Sequence, residues 1–224
     1  MKIIARIYTG FPEKFGIPRQ SGIVDTPARI VFEPEYRNPD ALRGIEGYSH
    51  LWILWQFSQA IRDDWSPTVR PPRLGGNRRM GVFATRSPFR PNPIGLSSVR
   101  LLGVNETKDE GTVLKVAGAD ILDGTPIYDI KPYLAYTDSH PDAIGGFADE
   151  VKDYSVDVEI PNEILERIAP ADRDSIILLL RNDPRPSYRA NEAGEYGMSY
   201  AGYEISFSAE RSTLKVLRIE KRNK

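Results

Sequence analysis

A chain of 224 residues, 40% hydrophobic and 27% charged, is long enough to bury a core and has the composition of an ordinary globular protein. It contains no cysteine, which excludes disulfides, thiolate metal sites and a cysteine nucleophile. A net charge of −1 argues against a general nucleic-acid binder, and no apolar segment approaches the length of a membrane span or a signal-peptide core, so a cytoplasmic protein without membrane association is expected.

KIIARIYT (2–9), PARIVFEP (27–34) and HLWILWQFS (50–58) read as strands, the last apolar on both faces and therefore expected in the middle of a sheet. NPDALRGIEG (38–47) reads as a short helix. MGVFATR (80–86), LSSVRLLGV (96–104) and TVLKVAGADIL (112–122) continue the strand pattern with turn residues between them. Short strands with little helix between them make the protein mainly β, its antiparallel sheet closed as a barrel or folded as a sandwich. TDSHPDAIGGFADEV (137–151) loses the pattern and carries a Gly-Gly pair. This sets a first domain over 1–137, a linker or long loop over 138–152 and a small C-terminal α/β region over 153–224. In that region YSVDVEI reads as a strand, EILERIAPADRDSIILLLRND as helix interrupted at Pro170, and YEISFSAE and TLKVLRIEK as a terminal pair of strands.

Charge is spread unevenly. Between Asp64 and Glu106 there is no acidic residue, while Arg70, Arg73, Arg78, Arg79, Arg86, Arg90 and Arg100 all fall there. Pro67, Pro71, Pro72, Pro88, Pro91 and Pro93 break this run into turns, so the arginines sit on shaped loops, where a guanidinium suits a carboxylate, a phosphate or a stacked base. Each proline fixes φ and removes a backbone donor. TRSPFRPNPIGLSSV (85–99) therefore reads as a moulded binding loop.

RLGGNRRMG (73–81) matches neither common phosphate-binding glycine signature. His50 and His140 lack the spaced partners of a metal site, and no GxSxG elbow supports a serine triad. GADILDGTPIYDIKPY (118–133) delivers Asp120, Asp123, Asp129, Lys131 and Tyr133 from one short reversal. Singly the first two aspartates serve as turn holders; together the set offers acceptors, a cation and a phenol. NDPRPSYR (182–189) locks Arg185 between prolines ahead of Tyr188, and its Asp-Pro step is also a helix stop.

PRQSG (18–22), RGIEGYSHLWIL (43–54), RPPRLGGNRRMGVFATRSPFRPNPIGLS (70–97), DILDGTPIYDIKPY (120–133) and DPRPSYR (183–189) together resemble the TrmO family, also called TsaA-like or YaeB. The likeness runs from the first strand to the last strands. It implies an S-adenosylmethionine-dependent methyltransferase acting on N6 of threonylcarbamoyladenosine, immediately 3′ of the anticodon, chiefly in threonine tRNA. The implied fold is a single antiparallel β-barrel with a small C-terminal α/β appendage, working as a homodimer without a metal.

The family's cofactor positions carry over to Pro18, Arg19 and Gln20, to His50 and Leu51, to Arg86 and Leu96, and to the turn Asp120, Ile121, Leu122 and Asp123. Asp129, Lys131 and Tyr133 are candidates to assist departure of the N6 proton, with Asp120 or Asp123 as alternatives. Arg90, Arg185 or Lys131 would meet the threonyl carboxylate, and Phe89 or Tyr188 would stack on the base. The remaining arginines would meet phosphates of the tRNA anticodon loop. A non-catalytic RNA-binding or ligand-sensing barrel is the alternative; it uses the arginines but leaves the acid-lysine-tyrosine run without a task.

Overall fold

The computed structural model describes residues 1–74, 78–186 and 192–222. Its first part contains β1 (Ala5–Tyr8), β2 (Pro27–Phe32), β3 (His50–Gln56), the two-residue β4 (Thr68–Val69) and β5 (Met80–Gly81), β6 (Ile94–Thr107), β7 (Gly111–Ala117) and β8 (Thr125–Pro132). β4 and β5 pair with each other. The other six run β1–β2–β7–β6–β3–β8 and back to β1, all antiparallel, as a closed barrel.

β3 shows how the pattern builds this layer. Leu51, Ile53 and Trp55 are buried and alternate with His50, Trp52, Leu54 and Gln56, as period-two side-chain direction requires. Both edges of β3 are paired, to β6 and β8, in keeping with its expected central place. Inside the barrel Leu51, Ile53, Ile7, Ile30, Leu114, Ile121 and Ile127 form one core.

Several expected elements differ. MGVFATR yields only β5, because the Thr85 N–H and hydroxyl both donate to the Val82 carbonyl and close a 3-10 turn over Val82–Ala84. NPDALRGIEG forms two separate 3-10 turns, Pro39–Leu42 and Ile45–Gly47. TVLKVAGADIL stops being a strand at Ala117. There Gly118 adopts φ +84, a left-handed conformation that glycine reaches without a Cβ clash, and its N–H turns to the Thr26 carbonyl at 3.0 Å. TPIYDIKP is not part of the reversal but the barrel strand β8, so Asp129 and Lys131 stand on a sheet.

The remainder comprises α1 (Ala135–Asp138), β9 (Asp157–Glu159), α2 (Asn162–Leu165), α3 (Pro170–Arg181), β10 (Gly194–Tyr200), β11 (Tyr203–Glu210) and β12 (Thr213–Lys221). Pro170 opens α3, where its missing N–H removes no helical hydrogen bond. The sheet order is β10–β11–β12–β9, with β9 parallel to β12. β10 has no sequence counterpart among the expected strands: GEYGMSY carries two glycines and an exposed first half, which weakens its alternation.

A second core gathers Ile176, Leu179, Leu180, Phe207, Leu214 and Val216, and it also takes in Phe11 and Val24 from the loop between β1 and β2. That loop is bonded across: the Ala201 N–H donates to the Gly10 carbonyl at 2.8 Å, and the Ser199 N–H to Glu13 Oε1 at 3.1 Å. Among the described residues no helix is long and apolar enough to cross a membrane.

Candidate active site

A cleft of about 1030 Å³ lies against the outer face of the β3–β6 pair. Residues directly opposite one another across a strand pair point the same way, so Trp52 stands beside Ser98 and Leu54 beside Leu96. Trp52, Leu96 and Ser98 line the floor. One wall is the β1–β2 loop from Ile17 to Ser21, the other is the proline loop from Thr85 to Asn92, and Asp120 and Leu122 close one end. Of the outward positions of β3, which read as a doubly buried strand, Trp52 and Gln56 are covered by this cleft.

The proline loop braces itself. Arg90 Nη1 donates to the Thr85 carbonyl at 3.0 Å and the Ser87 carbonyl at 3.3 Å, and the Phe57 N–H donates to the Pro93 carbonyl at 2.8 Å. Arg86 Nη1 donates to Gln20 Oε1 and so ties the two walls together. Arg19 Nη2 donates to the carbonyls of Asp183 and Arg185, each at 2.9 Å. Its buried Nη1 has no hydrogen-bond partner within the described structure.

Opposite in sign stands Asp120, whose Oδ1 accepts from the Ser97 hydroxyl at 2.6 Å. Burial pushes the Asp120 carboxyl above its ordinary range, while the Ser97 hydroxyl, its own and Ser21's backbone N–H groups and the charge of Arg86 pull the other way. Lys14, Arg19, Arg86 and Arg90 thus share with the Asp120 carboxylate a single cleft lined by Trp52, Phe57, Phe83 and Phe89.

Of the expected cofactor residues, Pro18, Arg19, Gln20, Arg86, Leu96, Asp120 and Leu122 come together here, as do Phe89 and Arg90. Leu51 and Ile121 do not: both side chains are fully buried in the barrel core, Leu51 because alternation along β3 turns it inward and Ile121 from the irregular segment that follows β7. Asp123 holds the turn by accepting the Thr9 N–H at 2.9 Å, and the His50 ring lies against Tyr133, 6.1 Å between centroids. Arg185, expected at the substrate, is fully buried and paired to Asp183 at 2.8 Å, so it presents no charge to a ligand. Tyr188 lies outside the described residues.

Asp129 and Lys131 form an ion pair at 2.9 Å. They stand opposite Leu54 and Trp52 across the β3–β8 pair, hence on the same outer face as the cleft floor and about 10 Å, two strand spacings, from the Leu96 and Ser98 row. Tyr133 joins them to the cleft through Trp52, with ring centroids 5.4 Å apart.

The sequence did not single out Trp52, Trp55 or Ser97. The clue to Ser97 was its place in the same NPIGLSS segment as Leu96. On the rim the Arg62 guanidinium sits 4.1 Å above the Phe89 ring, and the exposed Phe83 lies 5.9 Å from Trp65. Among the described residues no group of His, Cys, Asp or Glu is arranged to hold a metal.

These features define a β-barrel protein with a cleft of mixed charge on its flank, beside an arginine-rich, aromatic rim. Residues 6–139 match the tRNA-methyltransferase O N-terminal domain and residues 153–222 the TrmO C-terminal domain; the chain belongs to the TrmO family. It is 46% identical over 212 residues to the tRNA (adenine(37)-N6)-methyltransferase of Escherichia coli K12, covering 92% of this chain and 89% of that protein. It is 40% identical over 221 residues to a Pseudomonas aeruginosa protein described as a putative S-adenosylmethionine-dependent methyltransferase, covering 94% and 93%. The solved structure of TrmO from P. aeruginosa superposes with a TM-score of 0.76 at 32% identity, covering 98% of this chain and 95% of that one.

Proposed function

We propose that this protein transfers a methyl group from S-adenosylmethionine to N6 of threonylcarbamoyladenosine at position 37 of tRNA, with threonine tRNA as the principal substrate. The reading is supported by the name of the E. coli relative and carried by one observation: the cationic Arg19 and Arg86 and the Asp120 carboxylate line the same cleft. Together they complement an α-amino acid, which bears one carboxylate and one ammonium. Arg19 and Arg86 hold the carboxylate of the methionine moiety, Asp120 accepts from its ammonium, and the aromatic lining takes the nucleoside.

When bound, S-adenosylmethionine supplies an electrophilic methyl on a sulfonium. Its transfer to N6 would return the carbon–sulfur electron pair to sulfur. The rigid proline loop contributes alignment for this in-line displacement, the largest available effect. Asp129, oriented by Lys131, takes the proton that N6 gives up. Trp52 and Tyr133 flank the base between donor and acceptor, Lys131 and Arg90 face its threonyl carboxylate, and the Phe89 and Phe83 rings offer stacking surfaces to the anticodon loop. In the same reading the six-strand ring is the single catalytic barrel, the chain divides at 138–152, and the enzyme works as a cytoplasmic homodimer.

The test is methyl transfer from labelled S-adenosylmethionine to two threonine tRNAs, one carrying threonylcarbamoyladenosine and one an unmodified transcript. Label in the modified tRNA alone is expected. Label in neither, with the donor bound, would mean another acceptor; absence of donor binding would favour a non-catalytic barrel. Arg86→Ala is expected to weaken donor binding by about 1.5–3 kcal/mol, the scale of a hydrogen bond to a charged group. Calorimetry showing unchanged affinity would remove Arg86 from the site.

A further inference from the structure

Trp55 stands opposite Gly95 across the β3–β6 pair. A Cβ on Gly95 would overlap the Trp55 indole, so glycine is what lets the ring lie flat against β6. There Trp55 Nε1 donates to Ser97 Oγ at 2.9 Å, and Ser97 Oγ donates to Asp120 Oδ1 at 2.6 Å. Trp55 is 6% exposed and Ser97 1%, which leaves little room for water to substitute in the chain. Its direction is fixed: an indole N–H can only donate, so the serine's own proton has one remaining destination, the carboxylate.

We infer that Ser97, oriented by Trp55 in the space left by Gly95, is a positioning residue that aims the Asp120 carboxylate at the ammonium of the donor's methionine moiety. This rests on the donor assignment above. A carboxylate pinned at one oxygen presents the other to the cleft without losing rotamer freedom on binding. The hydroxyl also favours the ionised form, which accepts the stronger bond. Arg86 is the charged group that acts on Asp120, with Lys14 and Arg19 lining the same cleft. Arg86 favours ionisation as well, so the effect of Ser97 must be separated from it by changing Ser97 alone.

The experiment titrates the full chain, by calorimetry, with two probes. S-adenosylhomocysteine keeps the amino acid moiety; 5′-methylthioadenosine has the same nucleoside and a thioether but no amino acid. Ser97→Ala is expected to weaken S-adenosylhomocysteine about tenfold, as loss of one charge-assisted contact would, and to leave methylthioadenosine unchanged. The acid limb of S-adenosylhomocysteine affinity is expected to move to higher pH, because a carboxylate deprived of a donor holds its proton longer. Ser97→Thr, which keeps the hydroxyl, restores both, and Ser97→Cys, close in volume but a weak donor, behaves as alanine even if the alanine variant folds poorly. Equal loss for both probes, or an unmoved acid limb, would overturn the positioning role. Wild-type protein that binds neither probe would overturn the donor assignment, and this inference with it.

Discussion

Arg185→Leu is expected to lower the unfolding free energy by about 3–5 kcal/mol, the usual consequence of leaving one member of a buried ion pair alone. Arg185 is fully buried and Asp183 1% exposed. Nε and Nη2 of the arginine meet the two carboxylate oxygens at 2.8 and 3.1 Å, and Nη2 also donates to the Arg211 carbonyl at 3.1 Å. The Tyr154 hydroxyl donates to the same carboxylate at 2.8 Å. Asp183 holds φ 50, a conformation aspartate tolerates when its side chain bonds locally, here to the Arg185 N–H at 3.2 Å. Leucine removes the counter-charge and leaves the carboxylate in the interior. Urea unfolding monitored by fluorescence reads the loss, and the double replacement Asp183→Asn with Arg185→Leu should recover part of it. A single-variant loss below about 1 kcal/mol, the ceiling of an exposed pair, would show that the pair contributes little.

Leu51→Ala is expected to cost about 2–5 kcal/mol by the loss of buried surface and the cavity left behind, with donor affinity unchanged in the folded fraction. Leu51 is fully buried inside the barrel. Leu96, 54% exposed on the cleft floor, gives the contrast: its alanine variant should change stability by no more than about 0.5 kcal/mol while weakening the donor. Thermal melts with and without S-adenosylhomocysteine separate the two. If Leu51→Ala instead weakened the donor at unchanged stability, the inward assignment of β3 would be wrong.

That contrast marks how far the sequence could be read. Where β-branched and apolar residues ran together or alternated, as in PARIVF, HLWILWQ and TLKVLRIEK, the strands were legible. TPIYDIKP was hidden behind the turn residues Asp123 and Gly124, and GEYGMSY behind its glycines. At the site, motif membership gathered residues contiguous in the chain, yet a strand sends neighbours to opposite faces. Leu51 therefore went to the core while Trp52 reached the cleft, and past the end of β7 the Ile121 side chain likewise packs in the core beside the cleft-lining Asp120. Arg185 looked like a ligand-facing cation because proline-bounded arginines on loops usually are; its burial depends on Asp183, two residues away, folding back onto it, a tertiary pairing that spacing does not announce. The relay through Trp55 and Ser97 joins three segments, and pairwise contact of that kind is not written in any one of them.

The loop between β1 and β2 serves two masters: Pro18 to Ser21 shape the ligand cleft, and Phe11, Val24 and Arg19 are seated on the C-terminal unit. The two units are therefore not interchangeable modules. A chimera that grafts another relative's C-terminal unit onto this barrel inherits a mismatch along this loop, and its defect would surface as a misshapen cleft far from the graft junction. Compatibility between the halves thus rests on the whole β1–β2 loop, to be transplanted with the unit it seats or not at all.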